Sequence, residues 1–213
     1  MKKLIFLFAL MLTTLGMMSV CSCNGCKGGQ EPKDEEPEVE CHDYDGVVQD
    51  FTAGTEYIQA LHRQTVNRVL GIKTFEWRNS KVIFNDEITY ENIDDLHITD
   101  INDVFFYVNE KGPWVQYVNS NVKGGLQIPW PIQDIWIEDR NLSDAEIILD
   151  AESVLQKLKE WNGVLPQGAK SISLRRPTGP KDCNAQWVLG SIDNPLFIDA
   201  VTGDVRDSNP AFD

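Results

Sequence analysis

QWVLGSIDNPLFIDAVTGDV, residues 186–205, carries the clearest structural signal in the chain. Its two apolar runs, one ending at Ser191 and one starting at Asn194, read as hairpin-linked strands, because β-branched and aromatic residues suit a pleated surface. The second run stops in Asp199-Ala200-Val201-Thr202-Gly203. Gly203 is free to take positive φ, and the side chains of Asp199 and Thr202 can bond nearby backbone amides, so this end is a tight turn.

Upstream of the hairpin, KSISLRR supplies another strand and PTGPKD a turn. Before them, DAEIILDAESVLQKLKEW places Ile147, Leu155, Leu158 and Trp161 on one helical stripe. Ser143 with Glu146 three residues on predicts a capping box at its start, and Asn162-Gly163 a stop at its end. One helix followed by an antiparallel set of strands is thus expected over 142–213.

The turn and the strand before it, Phe197, Ile198, Asp199, Ala200, Thr202 and Gly203, resemble the end of a PepSY or PepSY-like domain. The resemblance covers roughly Leu142 to Asp207. It implies a small helix-plus-antiparallel-sheet module, associated with peptidase inhibition and with binding or sensing at the cell envelope. It brings no catalytic residue with it.

The order of elements recurs earlier in the chain. TEYIQALHRQTVNRVL puts Tyr57, Ile58, Leu61, Thr65 and Val69 on one helical face, beside Val66 and Leu70, with Thr55 as N-cap and Gly71 as stop. KVIFND and DVFFYVNEKGPWVQYVN then read as strands, with NEKG as a hairpin turn. His62 on the helix flank reads as a partly exposed packing residue. The carboxylates of NIDDLHITDIND, Asp94, Asp95, Asp100 and Asp103, read as a water-facing set on a structured connection.

The expected class is therefore α+β, two helix-plus-antiparallel-sheet units spanning 46–123 and 142–213. Residues 124–141 form a linker with a short strand between them. That linker carries Trp130 and Trp136, and Trp114 precedes it. Exposed aromatic rings there would stack on sugar or peptide, whereas buried ones would pin the linker to a sheet, the commoner use of aromatic area.

The chain begins MKKLIFLFALMLTTLGMMSV, the charged and apolar regions of a secretory signal. SVCSC at its end resembles the lipobox of bacterial lipoproteins, which implies diacylation of the cysteine after cleavage. Cys23, preceded by Ser22 and three residues after Val20, fits best, giving a leader over 1–22; Cys21 is the alternative. A zinc site needs four ligands on a folded frame, and no frame surrounds these cysteines.

Residues 23–45 form a tether. Between Gln30 and Asp45 eight acidic residues face one lysine, too few apolar groups to offset ordering entropy. Acidic residues after the lipidated cysteine resemble surface-export signals of Bacteroidetes lipoproteins, so the chain is expected on the outer membrane, surface-exposed or facing the periplasm. DYDG at 43–46 fails as a calcium loop, because Cys41 and Thr52 fall where carboxylates are required.

Removing Lys2 and Lys3 with the leader takes the net charge from −14 to −16. Such a surface repels phosphate backbones and anionic headgroups, so nucleic acid is not an expected partner and membrane attachment falls to the lipid. Export permits a Cys41–Cys183 disulfide, with Cys26 as competitor and a free Cys183 as the alternative. The basic group Arg175, Arg176 and Lys181 reads as a charged hairpin tip.

No nucleophile elbow, phosphate loop or His-Glu-x-x-His motif occurs, and the chain has three histidines, His42, His62 and His97. No cofactor is implied. The expected function is non-enzymatic binding of an envelope protein or peptide, a peptidase among the candidates. Glycan binding through Trp114, Trp130 and Trp136 is the alternative.

Overall fold

A computed structural model describes residues 54–122, 125–143 and 147–212. The class is α+β: among the described residues, two helices and nine strands that join in one antiparallel sheet. The first half runs α1 (Thr55–Arg68), β1 (Glu76–Phe84), β2 (Ile98–Asn109), β3 (Gly112–Asn121) and β4 (Gly125–Gln127). The second runs β5 (Asp139–Arg140), α2 (Ala151–Glu160), β6 (Ser171–Pro177), β7 (Gln186–Ser191), β8 (Asn194–Asp199) and β9 (Val205–Arg206).

Strand order is β4-β3-β2-β1-β6-β7-β8-β9, with β5 beside β6. Each half is a meander starting from its first long strand, and the two first strands, β1 and β6, pair antiparallel at the centre. The two expected sheets are therefore one. Their seam runs from Asn79↔Arg175 to Ile83↔Ser171. Beyond Asn79 the seam opens, and 139–142 fills the gap: β5 pairs Pro177 and Arg176, while Leu142 bridges Trp77 and donates to its carbonyl at 2.7 Å.

Register makes one face of this sheet the core. Partnered residues share a face, since side chains alternate along each strand. Ser120, Ile101, Val82, Ile172, Leu189 and Leu196 form one row across the sheet, and Val118, Asp103, Ser80, Leu174, Trp187 and Ile198 the next. Every one of them is buried. Ile58 and Val66 of α1 and Val154, Leu155 and Leu158 of α2 belong to the same apolar cluster as these rows, so both helices lie on this face. A row of the other face, Asn119, Asn102, Lys81, Ser173 and Val188, is polar up to Val188 and at least partly exposed.

Both helices differ in detail from the sequence expectation. In α1 the buried stripe is Thr55, Ile58, Gln59, His62, Thr65 and Val66, a rotation that leaves Tyr57 exposed. Thr55 is the first helical residue and Gly54 the cap. Freed from capping, Thr55 donates its amide (3.2 Å) and hydroxyl (2.7 Å) to Glu152 in the first turn of α2, tying the two helix starts together. A carboxylate suits the positive end of a helix.

The second helix begins at Ala151, well after Ser143. Its cap is Asp150, whose carboxylate accepts from the Ser153 amide at 2.8 Å. Glu146 lies outside the described residues. The chain at 148–149 is held by the sheet instead: the amides of Ile148 and Leu149 both donate to the Ala200 carbonyl, and the Trp187 indole donates to Leu149 O at 2.9 Å. Among the described residues no helix is long and apolar enough to cross a membrane.

Candidate functional site

Three arrangements of side chains stand out, two of them internal. The first lies under α1. His62, from the middle of the helix, puts Nδ1 2.6 Å from Asp103 Oδ2 on β2 and Nε2 2.6 Å from Ser120 Oγ on β3. A carboxylate only accepts, so Nδ1 donates to Asp103 and the rotatable Ser120 hydroxyl meets Nε2. Asp103 Oδ1 accepts from the Trp77 indole at 3.1 Å, and Arg63 stacks over Trp77 at 4.5 Å from the ring centre. Beside this set Gln59 donates to Ser80 Oγ at 2.7 Å.

The connectivity Asp103–His62–Ser120 is that of a nucleophile, its base and the base's orienting carboxylate. Location decides otherwise. All three side chains have no solvent exposure, so no acyl group reaches Ser120 Oγ in this conformation. The polar set instead locks α1 onto its half of the sheet, since a buried polar group is tolerated only when its bonds are made. The sequence reading is corrected on two counts: His62 is buried and bonded where partial exposure was expected, and Asp103 faces the core where water was expected. In sequence the only hint was parity, because Asp103 lies two residues from both Ile101 and Phe105, and His62 four from both Ile58 and Val66.

The second arrangement is the turn at 199–203. Asp199 Oδ1 accepts from the amides of Val201 (2.9 Å) and Thr202 (3.0 Å), and Asn184 and Gln186 donate to the same carboxylate. Burial pushes the pKa of this group up, but the bonds from Thr202, Val201, Asn184 and Gln186 outweigh it and hold the carboxyl below its ordinary value. Thr202 Oγ1 accepts from the Asp204 amide, and Gly203 has φ 78°. A Cβ on Gly203 would also press to 3.1–3.2 Å on Lys157 and Leu149, so the turn is fitted against α2. These bonds are local and structural.

The third arrangement reaches solvent. After β4, the chain follows the β3 edge until Ile132, which exchanges two backbone bonds with Val115. It then passes the β2–β3 turn, where Gln133 donates to Lys111 O at 2.8 Å, and enters the seam at Asp139. Over this path Trp130, Ile132, Ile135 and Ile137 are 52, 53, 64 and 75% exposed. Between Ile135 and Ile137, Trp136 turns inward and is half-buried. The backbone of 133–138 makes no backbone hydrogen bond to another described residue.

Asp139 anchors the inner end of this strip. Its buried carboxylate lies 2.7 Å from Arg175 Nε, and its carbonyl accepts from Arg78 at 2.5 Å. Burial pushes the Asp139 carboxyl up, with the Arg175 charge opposing. Arg78 is free to reach it because β1 carries a bulge there, two residues against one on β2, which re-aims the side chain. The guanidinium also lies 5.3 Å from the Phe106 ring centre.

Of the tryptophans expected to bind, Trp130 is exposed, Trp136 is half-buried against the anchor, and Trp114 donates to Asn109 Oδ1 at 2.9 Å. The basic group is largely neutralised: Arg175 by Asp139, and Arg176 by Asp182, which also meets Arg140 at 2.5 Å. Cys183 is half-buried beside Arg176 and Arg140; burial raises its thiol, and the two guanidiniums oppose this. Cys21, Cys23 and Cys41 lie outside the described residues, as do the leader and the tether. Among the described residues no group of three His, Cys, Asp or Glu side chains is placed to hold a metal ion. Compared with known protein families, with curated proteins and with solved structures, the chain matches none.

Proposed function

We propose that this chain is a lipid-anchored protein of the bacterial outer membrane, attached through Cys23 or alternatively Cys21, that binds a protein or peptide partner without catalysing a reaction on it. Its two meanders, each preceded by a helix, are read as PepSY-like units fused through their first strands, which the mirrored strand order supports. The acidic tether holds them off the membrane, on the cell surface or facing the periplasm.

The single observation that carries the binding reading is the strip at 130–137. Four large apolar side chains stand in water within eight residues, and from 133 onward the backbone that carries them makes no backbone hydrogen bond to another described residue. Such a stretch offers both halves of β-addition, main-chain bonds and side-chain contacts. Glycan binding is the second reading, favoured by one feature, the exposed Trp130 ring.

Capture from native envelope extract by the full chain, immobilised in detergent, tests the proposal. The expected result is reproducible recovery of one defined envelope protein, such as a peptidase. Recovery of polysaccharide alone would put the glycan reading first, and recovery of nothing would overturn both.

A further inference from the structure

Deepening that reading and resting on it, we infer that the strip takes an extended peptide segment of alternating apolar residues flanked by basic ones. Backbone shape sets the first requirement. Exposure alternates along Ile135, Trp136 and Ile137, so two isoleucines point out together; the Ile135 amide is taken by Asp134 and the Ile137 carbonyl by the Thr178 hydroxyl, which leaves the Ile135 carbonyl and the Ile137 amide to a chain laid alongside. A partner that also alternates meets this surface with one apolar side chain in every two.

Charge sets the second requirement. Asp134 and Glu138 bracket the isoleucine pair, both exposed and neither in an ion pair with another described residue. Asp134 spends one oxygen on the Ile135 amide, at 2.7 Å, which fixes its position at the strip's end. The whole chain carries −14, so the field reinforces the local pair and repels an acidic segment before contact. The guanidiniums at the strip's inner end are already engaged, Arg140 by Asp182 and Arg175 by Asp139. A basic apolar segment therefore fits, and an acidic one does not.

The test uses two labelled synthetic peptides, Lys-Lys-Val-Thr-Val-Thr-Val-Lys-Lys and its counterpart with glutamate for every lysine, titrated by anisotropy against the full chain in detergent. The lysine peptide is expected to bind about fivefold or more tighter, the ratio for two exposed charge pairs. Asp134→Lys with Glu138→Lys should reverse the preference. Ile135→Asn with Ile137→Asn should weaken binding about tenfold with the melting temperature unchanged, since both side chains lie outside the core. Equal affinity for the two peptides, no binding of either, or full binding after the isoleucine substitutions would overturn the inference. So would self-association of the chain that the isoleucine substitutions abolish, because the strip would then belong to a second copy. If the peptides fail while the wild-type chain still captures an envelope protein, the inference falls and the binding reading stands.

Discussion

At the level of single residues, a histidine that reads as incidental in the sequence ties α1 to its half of the sheet. His62 completes a buried chain from Trp77 through Asp103 to Ser120. Replacing it with leucine strands the Asp103 carboxylate in the core, at an expected loss of about 3–5 kcal/mol in denaturant unfolding. Replacing His62 and Asp103 together by apolar residues should cost less than the two single losses combined, because the carboxylate, the costliest group to strand, is then gone and only the neutral Trp77 indole and Ser120 hydroxyl lose a partner. A double variant as unstable as that sum would show that the pair does not act as a unit. The Asp199 turn makes a second prediction. Its carboxyl is held below the ordinary 3.8, so its share of stability is full above that pH and is lost as pH falls through the lower folded value. Asp199→Asn should flatten the acid limb of the stability–pH curve below about pH 4; an unchanged limb would deny the linkage. These two residues also differ in how well sequence exposed them. Asp199 acts on amides two and three residues away and is readable from its neighbours, whereas His62 finds both partners across the sheet, at separations no local pattern encodes.

At the level of elements, local signals placed the hairpins well. The β2–β3 turn falls at Asn109↔Gly112, as NEKG suggests, and β7–β8 closes at Ser191↔Asn194. The start of α2 departs from the capping-box expectation for a physical reason. Ser143 and Glu146 satisfy the capping rule, but the amides of Ile148 and Leu149 are drawn out by the Ala200 carbonyl, a contact made from the far end of the half. The helix then uses the next good cap, Asp150. Asp150→Ala should lower stability by about 1 kcal/mol and Ser143→Ala by far less, measured by chemical denaturation. The reverse order would restore the capping box. In α1 the same kind of override rotates the helix, so that Gln59 and His62 enter the core to meet Ser80, Asp103 and Ser120. A hydrophobicity pattern cannot show this, because the inward face is partly polar.

At the level of the molecule, sequence order suggested two units, and the β1–β6 seam makes them one sheet with one apolar cluster. The seam joins residues some 90 positions apart, which is why no linker signal revealed it. Unfolding should accordingly be a single transition: in a variant retaining only Trp77, and in one retaining only Trp187, the fluorescence midpoint should coincide with the far-ultraviolet circular dichroism midpoint of that same variant, and separated midpoints would mean that the halves are independent domains. One sheet also explains the strip, since the connection from the β3 edge to the seam must pass the end of the sheet without a strand partner of its own. That exposed connection is the proposed binding element. The most direct measurement compares capture from native envelope extract by the wild-type chain and by the chain carrying Ile135→Asn and Ile137→Asn. The account predicts that the captured protein is lost from the variant while its melting temperature is unchanged; equal capture by both chains would contradict it.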